Sequence, residues 1–343
     1  MIPAVISLRN RRPGFFATRW ARNQFEPAAF GLVPRADLDP RRGGPEASAT
    51  VRAERRLVAD AAFEGDWRPA ASHVRAARPG DWDERWSRLE LLFELAGSDD
   101  RWLTDWRTAE PADGDAATVH AQLLLRSAWA VRGSAFAKDV PDGDMQQFMA
   151  TLPSVMAAAQ RAADLAPADP GPWVVMITAA RAMSYSRGQF ADLWRNLTRR
   201  APHHTAAHWQ ALQYWCAKWG GSDELMLDFA RRAVLGAPAG SLLPGLYLNA
   251  LTELRSKRPG GDPELLTAVA ARLDSVRQDH EDLPRLRHLL AHHLLRAGLA
   301  GPALEQFRRI GPYCGAAPWT ADPAGPAAAF DLARGLAAHG ARG

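Results

Sequence analysis

From about Glu46 onward, apolar residues recur at the three- and four-residue spacing that lines one face of a helix. Glycines, prolines and capping residues cut this pattern into helix-sized pieces. The first pair is predicted near 46–63 and 67–77, split at Gly65. Asp81 is placed to cap a helix through Ala96 that ends at Gly97, and Ser98 to cap one over 99–109 that stops at Pro111. Helices near 116–132 and 144–165 follow, the second with Pro153 inside it as a kink or restart. Pro172 opens a helix to about Tyr185, and the chain returns over 189–200. The next pair is predicted over 205–219 and, capped by Ser222, to about Leu235. Later pairs fall near 241–256 with 263–277 and 283–297 with 301–310, before a last alanine-rich helix near 326–338.

These helices repeat. Pro167, Pro202 and Pro238 are 35 and 36 residues apart, and Trp173 and Trp209 repeat at 36. At that offset Met176 matches Leu212, Ala180 matches Cys216, Leu193 matches Phe229 and Leu197 matches Ala233. A fixed period in the mid-thirties marks helix–turn–helix units that bury their apolar faces against neighbours. Trp209, Leu212, Phe229 and Pro238 resemble the tetratricopeptide-repeat pattern, with Trp173, Met176, Leu193 and Pro202 as a looser copy. The stretch Lys218-Trp219-Gly220-Gly221-Ser222, followed by Phe229-Ala230-Arg231, also resembles uncharacterised actinobacterial helical-repeat proteins, which carry no activity with them. The resemblance implies an all-α, TPR-like solenoid of about seven antiparallel helix pairs. Its expected bounds are 46–343, with the clearest repeats over 153–240 and a C-terminal cap over 325–339.

Residues 1–45 break the pattern with six prolines and no sustained period, and read as an extended arm. Charge separates the same region. Residues 1–56 hold 11 arginines against 5 acids, or +6, so the remaining residues carry 4 − 6 = −2. Arg9, Arg11, Arg12, Arg19 and Arg22 therefore form a candidate polyanion-binding arm. Phe15, Phe16, Trp20 and Phe25 are too aromatic for a fully disordered tail. Arg11-Arg12 begins like a twin-arginine leader, but Arg19, Arg22 and Glu26 interrupt any apolar run, so export is not expected. Two lone cysteines, Cys216 and Cys314, and the lack of an 18-residue apolar run favour a reducing, cytoplasmic location without a membrane span.

Catalytic motifs are missing: there is no GxxxxGK[ST], GxGxxG after a strand, HExxH or GxSxG. His204/His208 and His288/His292 are i,i+4 pairs, a spacing that holds zinc only with a third ligand. No acid or cysteine stands at matching spacing, and the Asp99-Asp100 and Asp139–Asp144 clusters lack a calcium-loop pattern. Neither a metal nor a cofactor is expected.

The repeat register supplies a different site. If the first helix of each unit lines a concave face, Thr178, Arg181, Gln210, Tyr214 and Lys218 point into it. Such a face suits an acidic protein or peptide. The sequence thus predicts a partner-binding module. The alternatives are an enzyme or enzyme subunit with a pocket between arm and solenoid, and nucleic-acid binding through the arginine arm.

Overall fold

A computed structural model describes residues 15–133, 139–254 and 260–342. Sixteen α-helices and no strand occur among them; an isolated β-bridge joins Asp39 and Tyr313. In chain order the helices are α1 (Phe15–Asn23), α2 (Ala49–Phe63), α3 (Arg68–Arg75), α4 (Trp82–Ser98), α5 (Arg101–Ala109) and α6 (Gly114–Arg132). Then come α7 (Asp142–Leu165), α8 (Gly171–Ala182), α9 (Arg187–Arg200), α10 (Thr205–Trp215) and α11 (Asp223–Gly236). The last are α12 (Leu246–Glu253), α13 (Pro263–Asp274), α14 (Leu283–Arg296), α15 (Ala300–Ile310) and α16 (Pro326–Gly340). The chain divides into two compact units: a mid-chain unit, 48–220, and a split unit built from 1–47 and 221–343.

Local chemistry explains most boundaries. The Asp81 carboxylate accepts from the Glu84 amide and starts α4. Ser98, expected as the next cap, lies instead in the last turn of α4, where its hydroxyl donates to the Glu94 carbonyl. The helix α7 runs unbroken across Pro153, whose side of the helix is exposed, so the expected restart does not occur. The 36-residue offset persists in the elements themselves. Ser186 caps α9 and Ser222 caps α11, and both helices have 14 residues.

In the mid-chain unit α8 is the innermost helix. Its sequence is apolar on every side, which only burial on every side can accommodate. Eleven of its twelve residues are buried, with α6, α7, α9 and α10 packed around it. The helix α4 touches both α6 and α10: Asp83 accepts from the Thr205 amide and hydroxyl, each at 2.8 Å, and Trp86 meets His204 edge-to-face at 5.7 Å. Elsewhere in this unit, Trp102 and Trp106 are fully buried and Trp67 stacks on Trp106 at 5.8 Å.

The split unit joins distant parts of the sequence. The described part of the arm is not simply extended: α1 packs on α16, and residues 39–43 follow 312–315. A Cβ on Gly335 would lie 2.8 Å from the Ala21 Cβ, so glycine lets the two helices approach closely. Asp39 donates its amide to the Pro312 carbonyl at 2.8 Å, and Gly315 donates to Arg42 at 2.8 Å. Arg334, wholly buried, donates to the Val33 carbonyl at 2.8 Å and to Asp331 at 2.6 Å. These bonds satisfy the arm's backbone, which its prolines and irregular turns cannot satisfy locally.

Candidate functional site

Only part of the register-derived face reaches solvent. Thr178 is buried on α8, its hydroxyl donating to the Val174 carbonyl at 2.8 Å. Tyr214 is buried too: its ring lies parallel to Phe190 at 3.7 Å, and its hydroxyl donates to the Tyr185 carbonyl at 2.9 Å. Burial raises the Tyr214 pKa, so it stays a neutral donor. Lys218 is exposed, but off the expected helical line. The helix α10 ends at Trp215, Cys216 turns extended at φ −66° and ψ 146°, and 217–219 form a single 3-10 turn closed by Gly220 at φ 88°. Trp209, which the repeat pattern places on a face packed against its neighbours, is half-buried.

Arg181 and Gln210 do come together. The Arg181 Nη1 donates to the Gln210 Oε1 at 3.0 Å. The Arg181 guanidinium also lies 5.5 Å from the Trp129 ring and 5.0 Å from Trp219. Those indoles meet edge-to-face at 5.7 Å. Arg132 sits over the same pair, at 5.3 Å from Trp129 and 5.5 Å from Trp219. Each cation–π contact of this kind contributes about 0.5–2 kcal/mol, more as water is excluded. Burial lowers the Arg132 pKa, but the guanidinium stays charged. Trp129, Trp219 and Arg132 are half-buried, so the cluster is held by the fold yet open on one side. Sequence reading missed Trp129 and Arg132. Their i,i+3 spacing on α6 was a usable signal; their meeting with Trp219 was not.

The remaining chemical candidates resolve into structural roles. His204 caps α10 by accepting from the Ala207 amide, and the His208 Nδ1 lies 2.9 Å from the His204 carbonyl. Burial drives the His208 pKa down to about 4. Trp319 can only donate through its indole, at 2.8 Å to the His288 Nδ1, so His288 carries its proton on Nε2 and donates it to the Gly43 carbonyl at 3.0 Å. Arg85 bridges two buried carboxylates, meeting Asp169 at 2.8 Å through Nε and Asp115 through Nη2. Desolvation raises the Asp115 pKa to about 6 despite that partner. Asp99 is held at about 2 by the hydrogen bonds of Arg101. No group of three or more His, Cys, Asp or Glu side chains among the described residues could hold a metal ion. Cys216 and Cys314 are buried free thiols.

Of the arm arginines, Arg19 and Arg22 are exposed on α1, while Arg9, Arg11 and Arg12 lie outside the described residues. No described helix is long and apolar enough to cross a membrane. No family model, curated protein or solved structure matches the chain.

Proposed function

We propose that this protein is an interaction module, derived from a TPR-like helical-repeat solenoid, that grips an acidic peptide at the Trp129–Trp219 cluster. The observation that carries this reading is the pairing of two half-buried indoles with two stacked guanidiniums on one face of the mid-chain unit. Tryptophan and arginine dominate binding hot spots, because they offer large contact area and directional donors together. Lys218, exposed beside Trp219 in the chain, adds a further cation. The repeated lengths and caps of α9 and α11 support descent from a helical repeat.

A fluorescein-labelled glutamate-rich peptide tests the reading by polarisation. Binding is expected to weaken as salt rises, because exposed charges are screened. Trp219→Ala is expected to weaken it by about 1–3 kcal/mol, within the range of hot-spot losses, with helix content unchanged. A peptide that fails to bind, or that binds the variant as it binds the parent, overturns the proposal.

A further inference from the structure

A second feature of the mid-chain unit is independent of the aromatic cluster. The end of α5, the turn at 110–113, the start of α6 and the end of α7 enclose a cleft of about 330 Å³. Its charged lining is Arg107, Glu110, Asp113, His120 and Arg161, and alanines on α6 and α7 leave its floor open.

The acids and bases of this cleft are in opposite situations. Both acids are satisfied within the protein. Arg75 Nη2 donates to Asp113 at 2.6 Å and to Glu110 at 2.7 Å. The other Asp113 oxygen caps α6, accepting from the Asp115 and Ala116 amides at 2.8 Å each. The bases lack such partners. Arg107 forms no hydrogen bond or ion pair with any described residue, and Arg161 reaches only the Pro111 carbonyl, at 3.4 Å. Burial, and then the nearby Arg161 charge, lower the Arg107 pKa. Burial and Arg107 likewise push His120 toward its neutral form. Two guanidiniums facing one cleft without a direct counter-ion repel each other, an arrangement relieved by an anion between them.

We infer that this cleft binds the phosphoryl group of a small phosphate monoester, held by Arg107 and Arg161 with His120 donating one N–H. A single guanidinium fork already satisfies a planar carboxylate. Donors from three helices instead match the diverging oxygens of a tetrahedral oxyanion, and two permanent positive charges match its two negative ones. The cleft volume is at the lower end for small-molecule sites, which leaves room for a short organic group beside the phosphate.

The test is calorimetric titration with inorganic phosphate, glycerol 3-phosphate and succinate, at ionic strength matched with chloride. Saturable one-to-one binding of both phosphates is expected. Arg107→Gln with Arg161→Gln is expected to weaken it at least tenfold. Both arginines are exposed, so circular dichroism of this double variant is expected to match the parent. Arg199→Gln, which removes the same charge from an exposed site on α9 that does not line the cleft, is expected to bind normally. Phosphate heats no larger than the chloride blank, parental affinity in a folded double variant, or succinate binding as tightly as phosphate each overturns the assignment.

Discussion

The two units use the same helical vocabulary but bury polarity differently. The mid-chain unit buries opposite charges together: Arg85 lies between Asp115 and Asp169. The split unit also pairs buried Arg334 with Asp331, and in addition it aims buried donors at distant backbone. Arg334 reaches Val33, and His288 reaches Gly43. In the first case burial depends on a partner charge. In the second it depends on a stretch of chain with free carbonyls, so the arm is a structural component of the core it covers. Polarity thus locks side chains to each other in both units, and in the split unit it also locks distant chain segments together.

Removing the arm is expected to have the largest effect. Deleting residues 1–47 withdraws the buried Ala21, Phe25 and Leu32 and the carbonyl partners of Arg334 and His288. The loss is expected to exceed the roughly 3–5 kcal/mol of a single buried Phe→Ala change and to unfold the split unit. Hydrogen exchange should then show residues 221–342 unprotected and 48–133 still protected. Full protection of both would refute the structural role of the arm.

Acid is expected to act next most strongly. His288 is held down to about 4 and His292 to about 3, both by burial, and His208 in the mid-chain unit to about 4. Their unfolded values are near 6.5, so between these limits the unfolded chain binds more protons and stability falls as pH is lowered. Each contributes on the order of 3 kcal/mol of loss at the acid end. Asp115 works the other way. Its folded value of about 6 lies above the unfolded one, so the stability it contributes is recovered as pH drops through 6 and is lost as pH rises through it. Burial also lowers His73, His120 and His204 in the mid-chain unit and His293 in the split unit, so urea titrations from pH 7 to 4 should show both units weakening. A unit whose stability does not fall with pH would contradict the assigned burial.

Arg85→Met is expected to cost the mid-chain unit about 3–5 kcal/mol, because two buried carboxylates are left without their cation. Chemical denaturation measures it, and a cost below about 1 kcal/mol would mean that water already reaches the pair. The smallest effects concern the two caps 36 residues apart. Ser186→Ala and Ser222→Ala each remove one of them and are expected to cost about 1 kcal/mol apiece. Unequal losses would show that the shared register no longer implies shared energetics.

Features carried by local pattern were legible in the sequence. Asp81, Pro172 and Ser222 punctuate helices close to where the pattern places them, because caps and turns act over three or four residues. What escaped depends on distant partners. Nothing near Arg85 announces Asp169, 84 residues on, and nothing in the arm announces α16. The candidate face was half legible for the same reason. The register brought out Arg181 and Gln210, but it assumed that α10 continues past Cys216 and that its neighbour α8 is open on one side. A helix as apolar as α8 all round argued for enclosure from the start. Trp129, Arg132 and Trp219 became a cluster only once α6 and the turn after α10 were folded together.

The split unit also imposes an order of events on synthesis. Val33 is made 301 residues before the Arg334 that satisfies its carbonyl. At roughly 5–20 residues per second, that gap lasts about 15–60 s. For most of it, Ala21 and Phe25 wait without the helix they pack on, while 48–220 is made and becomes free to fold. The mid-chain unit is therefore complete before the split unit can close.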